Sequence, residues 1–141
     1  MSIKALLKKS AFTLVELLIV VIIIAILAAI AIPKFAATKQ KAYTASMKTD
    51  LRNLVTAQEA YFSDNTTYTT SVTSGAMTSS FHPSAGNTIS VAAATATGWN
   101  ATAVNSYVPV ANSGGKCAVY VGSGTSAVVP ADTVEGAPAC L

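Results

Sequence analysis

From Phe12 to Ile32 the chain is apolar at all of its 21 positions except Thr13 and Glu16. A helix rises about 1.5 Å per residue, so this run reaches roughly 32 Å, enough to cross a bilayer core of about 30 Å. A globular protein of this size has no core that could bury a helix apolar on every side, so the run predicts a membrane-spanning segment. Pro33 closes it. Beyond Pro33 the helical rhythm continues, but the apolar positions narrow to one face. Tyr43, Met47, Leu51, Leu54, Gln58 and Tyr61 are spaced by steps of four, four, three, four and three, and Val55 and Phe62 widen the stripe. Lys39, Lys41, Lys48, Arg52 and Glu59 lie mainly off it. The pattern predicts a helix over about residues 12–63, interrupted or bent at Pro33, which has no N–H to donate. The polar run Ser63-Asp-Asn-Thr-Thr67 ends it.

Residues 69–87 are rich in Ser, Thr and Gly and carry little periodicity. From Thr88 the period changes to two. Ile89, Val91 and Ala93 alternate with Thr88, Ser90, Ala92 and Ala94; after a tight turn at Thr97-Gly98, Trp99, Ala101 and Ala103 alternate with Asn100, Thr102 and Val104. That pattern predicts a hairpin. Cys117-Ala-Val-Tyr-Val121, between Gly114-Gly115 and Gly122-Ser-Gly124, predicts a third strand, and Ala127 to Val129 is a candidate fourth. The expected fold class is α+β: a long N-terminal hydrophobic and amphipathic helix packed on a small antiparallel sheet head.

Charge changes the picture less than its total suggests. The formal charge is +3, but Lys4, Lys8 and Lys9 all fall in the first eleven residues. Without them six basic and six acidic side chains remain, so no nucleic-acid surface is indicated. The three lysines favour a cytoplasmic N-terminus and outward passage of the rest. An ordinary secretory signal cut near Ala28-Ala-Ile-Ala31 is the rival reading; the run exceeds the usual apolar core of about 7–15 residues and contains an acid. Glu16 is the anomaly, because a charge deep in a bilayer costs about 2.5–3.5 kcal/mol on translocon scales. It requires compensation.

Candidate chemistry is sparse. One histidine (His82), no acid pair at a useful spacing and no phosphate-cradling glycine loop speak against an enzyme, and no cofactor is expected. Cys117 and Cys140 are the only cysteines, too few for a metal site with His82 remote in a polar loop. In an oxidising compartment they are expected to form a disulfide that pins the C-terminal tail to the third strand. Asn65-Thr-Thr67 and Asn100-Ala-Thr102 match a glycosylation sequon, a pattern of low information.

Phe12-Thr-Leu-Val-Glu-Leu-Leu, after a Lys-rich leader and before an apolar run ending in Pro, resembles the N-terminus of a type IV prepilin. The stretch Phe12 to about Tyr68 is similar to the major pilin of type IVa pili, down to Asp50-Leu-Arg-Asn-Leu54 and Ala57-Gln-Glu-Ala-Tyr61. The resemblance implies a pilin fold with a leader (1–11), a transmembrane and assembly helix (12–33), an amphipathic second half (34–64) and a β head with a C-terminal disulfide loop (65–141). It implies cleavage between Ala11 and Phe12 by a prepilin peptidase and N-methylation of Phe12; the family usually has Gly where this chain has Ala11. Phe12, Glu16 and Pro33 are then the expected assembly residues, and Cys117 and Cys140 the disulfide. The implied function is that of a structural filament subunit held in the bacterial inner membrane and exported into an extracellular pilus. Its partners would be further copies of itself, the peptidase, the membrane and the assembly machinery. A type II secretion pseudopilin is the alternative within the family, in which Asp132 and Glu135 would contribute to a calcium site, although two carboxylates fall short of the six to eight oxygens calcium takes. A monomeric membrane-anchored periplasmic binding module is the alternative outside it. Electron conduction along Phe12, Phe35, Tyr43, Tyr61 and Phe62 is a further reading, set against the ordinary need of such a helix for aromatic packing.

Overall fold

A computed structural model describes residues 12–72, 77, 81–108, 115–123 and 134–141. The leader 1–11 with Ala11, the candidate strand 127–129 and Asp132 lie outside the described residues. One helix, α1, runs over Leu14–Asn65. Of the interruption or bend expected at Pro33, the interruption does not occur: the helix continues on both sides of it and through it. Proline deletes one donor and crowds the preceding turn at a cost of about 3 kcal/mol, a local loss that long helical flanks can absorb. The chain divides into two compact units, Met1–Ala37 and Thr38–Leu141.

In the first unit α1 exposes every large apolar side chain from Leu14 to Phe35. It is long and apolar enough to cross a membrane.

The second unit joins the later half of α1 to four strands, β1 (Asn87–Ala94), β2 (Gly98–Asn105), β3 (Lys116–Gly122) and β4 (Ala139–Cys140). They form one antiparallel sheet in the order β1-β2-β3-β4. The helical stripe turns inward as the spacing requires. Met47, Leu51 and Leu54 are fully buried and meet Ile89, Val91, Trp99, Ala101, Ala103 and Val119 in one core. Burying each large side chain contributes about 1.5–3 kcal/mol. Gln58, also on the stripe, is fully buried and fully used: Nε2 donates to the Thr69 carbonyl at 2.6 Å and Oε1 accepts from the Thr69 N–H at 3.1 Å. The chain leaving the helix is thereby fixed under it. The helix stops where Thr66 takes a left-handed φ of 55°, and Asn65 Nδ2 donates to the Tyr61 carbonyl in the last turn.

The hairpin forms with two differences from the expected alternation. Its loop is Thr95–Thr97, and Gly98 is already in β2, opposite Gly122 of β3. A register shift between Val91 and Ala93 then places Ala93 opposite Asn100, and Ala93 is exposed where strict alternation puts it inside. One extra residue in a strand sends the later side chains to the other face. The described fourth strand is the tail, Ala139–Cys140, paired with Cys117 and Ala118. Gly122 ends β3 at φ 62°, and a Cβ there would lie 2.1 Å from the Thr97 carbonyl oxygen, so only glycine fits.

Candidate functional site

The chemistry of the first unit sits at the start of α1. The Thr13 carbonyl accepts the first helical hydrogen bond, from Leu17 N–H at 3.3 Å, which makes Thr13 the N-cap and Glu16 the third helical residue. Thr13 Oγ1 accepts from the Glu16 N–H at 3.2 Å. Glu16 Oε2 accepts from the Thr13 N–H at 2.9 Å and from Thr13 Oγ1 at 2.8 Å. This is a reciprocal capping box, and it satisfies two otherwise orphaned backbone donors at the helix N-terminus. Its carboxylate also lies where the helix dipole favours negative charge. Part of the compensation that Glu16 needs is therefore supplied by its own chain, a role the composition of the run alone did not suggest. The signal was present, since Thr-x-x-Glu ahead of an apolar run is the local signature of such a box.

Phe12 precedes the box and is exposed. Pro33 lies inside α1 and is exposed; the helix itself holds it about 25 Å beyond Glu16 along the axis. Cys117 and Cys140 are bonded to each other; Cys117 is fully buried and the pair links facing residues of β3 and β4. Glu135 accepts a hydrogen bond from the Gly122 N–H. Among the described residues no group of three or more His, Cys, Asp or Glu side chains converges on a metal-sized site. His82 borders a groove of about 330 Å³ with Asn53, Thr56, Ala57, Ala60 and Phe81, which offers it no acid and no nucleophile beyond one threonine.

A second polar constellation was not expected from the sequence. Asp50 is 2% exposed at the edge of the buried face of α1. Its carboxylate accepts from the Ser84 N–H and the Ser84 hydroxyl, each at 2.8 Å, and from Asn87 Nδ2 at 2.6 Å. Asn87 Nδ2 also donates to Ser46 Oγ, and Asn87 Oδ1 accepts from Asn105 Nδ2. These bonds tie the helix to the entry of β1 and the exit of β2.

At the far end of the helix the Tyr68 hydroxyl donates to Glu59 at 3.0 Å. Burial pushes that hydroxyl above its ordinary range, and the Glu59 hydrogen bond and the charges of Glu59 and Glu135 add to the effect. Phe62 stacks on Tyr68 with ring centres 4.6 Å apart, and Trp99 tilts against Tyr68 at 6.2 Å.

An exposed apolar helix of membrane-spanning length, capped by an acid and continued into a disulfide-closed antiparallel head, defines a class of chain, and comparison with known proteins points the same way. Residues 6–32 match the family described as the prokaryotic N-terminal methylation motif. The chain is similar to the type IV major pilin protein PilA of Myxococcus xanthus, 51% identical over 57 residues, which is 40% of this chain and 26% of that protein. It is likewise similar to the type IV wide pilus major component PilA4 of Thermus thermophilus, 48% identical over 58 residues, covering 41% of this chain and 44% of the relative. The match spans less than half the length of either relative. Together, the motif and these likenesses support a type IV pilin.

Proposed function

We propose that the chain is the structural subunit of a type IV pilus-like extracellular filament, held in the inner membrane before assembly. The observation that carries this reading is the pairing of a wholly exposed apolar helix with a single acid at its start, inside a methylation-motif segment. A plain anchor gains only the helix cap from that acid, which an uncharged Gln would supply as well. A filament gains more: once the leader is removed, the new α-amino group of Phe12 in one copy can meet Glu16 of its neighbour, and each charge makes the other tolerable in an apolar bundle. Major pilus components among the relatives favour this over a secretion pseudopilin.

On this reading a prepilin peptidase cuts between Ala11 and Phe12, Phe12 is N-methylated, and inner-membrane machinery adds copies to a growing fibre. Mass spectrometry of purified surface fibres tests it directly. The expected N-terminal peptide begins at methylated Phe12; a start after Ala31 reveals an ordinary secretory signal, and a membrane-bound monomer with no fibre reveals a simple anchor.

A further inference from the structure

Tyr43, one turn before Met47 on α1, and Tyr107, in the turn after β2, stack ring on ring with centres 5.4 Å apart and planes inclined by 26°. Neither ring belongs to the core: Tyr107 is 66% exposed and Tyr43 half-buried. The contact is held from several sides. The Tyr107 N–H donates to Asn105 Oδ1 at 2.9 Å, and the Ser106 and Val108 N–H groups donate to the Gly86 and Asn105 carbonyls, which fixes the turn. Asn105 is tied through Asn87 to Asp50, about two turns of α1 beyond Tyr43. The Tyr107 ring also passes close to Gly86. A Cβ there would stand 2.9 Å from the ring's Cε2, at a φ of 85°, so glycine is what lets the ring reach Tyr43. Two phenols are thus kept face to face at the surface. Tyr68, by contrast, stacks on Phe62, which has no hydroxyl to oxidise.

We propose that Tyr43 and Tyr107 form an oxidative cross-linking site, where hydrogen peroxide activated by a haem peroxidase joins the two rings by a carbon–carbon bond. The bond would weld α1 to the turn after β2. Tyr107 is the exposed ring that meets the oxidant, and Tyr43 is oxidised in contact with it. Each phenol gives up one electron and its hydroxyl proton. The two phenoxyl radicals then pair their electrons in a new bond between ring carbons adjacent to the hydroxyl-bearing ones. The hydrogens on those carbons leave as protons while the oxygens take protons up, which restores both phenols. Overall the pair loses two electrons and two protons, and one hydrogen peroxide accepts them to become two waters. A pair held in contact reacts as if each ring were present at a concentration far above that of dissolved protein, so coupling within a chain outruns coupling between chains. The weld needs no second copy, and it does not rest on the reading of the chain as a filament subunit.

The test treats the full chain, monomeric in detergent and with its disulfide closed, with a haem peroxidase and hydrogen peroxide. Free tyrosine in a parallel mixture confirms that the oxidant works. The readouts are dityrosine fluorescence and mass spectrometry of proteolytic fragments. The expected product is a linked pair of peptides containing Tyr43 and Tyr107, lighter than their sum by two hydrogens, in a yield that does not change with protein concentration. Tyr43→Phe and Tyr107→Phe keep the stacked rings, and circular dichroism should show an unchanged fold. Each should nevertheless lower the within-chain yield by about tenfold or more. Tyr61→Phe and Tyr120→Phe should leave it as it is. Equal yields from the Tyr43 and Tyr107 variants, links that join other tyrosines, or links between chains that grow with concentration would each overturn the site. So would an unlinked chain under conditions in which free tyrosine dimerises.

Discussion

Asp50 shows how a single polar residue can be fixed by parts of the chain far from it. Its three donors come from residues 34 and 37 positions away, so nothing near it in sequence signals its role. Removing the carboxylate would strand the Ser84 N–H and one Asn87 proton in a closed site, and hydrogen bonds to a charged group are worth about 1.5–3 kcal/mol each. Asp50→Ala is therefore expected to lower stability by about 3 kcal/mol, read in denaturant unfolding, with Ser46→Ala costing about 1 kcal/mol. Equal small losses in both would show that the network contributes little. Tyr68 supplies a pH dependence of known sign. Its folded pKa lies above the unfolded one, so both states are protonated at neutral pH and the unfolded state ionises first as pH rises. Stability should stay level up to the ordinary tyrosine range and decline above it, and Tyr68→Phe should flatten that alkaline limb. The periodic stripe of α1 was legible because it depends on spacing alone; Asp50, at its edge, was not, because helical period says which positions turn inward and not which polar groups wait there.

At the scale of elements, the long helix and the hairpin were legible, and the differences have local causes. The bulge after Val91 is one extra residue in a run of small side chains, Val91-Ala-Ala-Ala94, where no large apolar residue marks the change of face. The two-residue strand Ala139–Cys140 is too short for any alternation to show; its place is set by the bond to Cys117. The tail has few other ties among the described residues, chiefly the Leu141 N–H to the Lys116 carbonyl and the Gly136 N–H to the Tyr120 carbonyl. A bond closing a loop over a sequence separation of 23 stabilises by roughly 3 kcal/mol in the chain-entropy account. Cys140→Ser should accordingly lower stability by about 2–4 kcal/mol and free β4 from β3, seen as lost amide-exchange protection at Ala139 and Leu141. Unchanged protection would mean that backbone pairing alone holds the tail.

For the whole molecule, Glu16 carries two roles that one substitution cannot separate. Within a chain it closes the capping box with Thr13; between copies, on the proposed reading, it neutralises the amine of Phe12. Glu16→Ala removes both, loses about 1 kcal/mol of helix capping, and relieves the membrane of a charge, so it should insert at least as well as the native chain. Glu16→Gln separates the roles, because Gln also serves at the third position of a capping box but carries no charge. A buried charge whose partner is removed costs about 3–5 kcal/mol, and in a filament the stranded group would be the Phe12 amine of every neighbour. Both variants should therefore be cleaved and inserted, with helix starts that differ, and both should polymerise poorly. If Glu16→Gln forms fibres of normal length as the sole subunit while Glu16→Ala does not, the cap is what assembly needs and the charge pairing is wrong. If both form them, the acid has no assembly role, and contacts other than this charge pair hold the filament together.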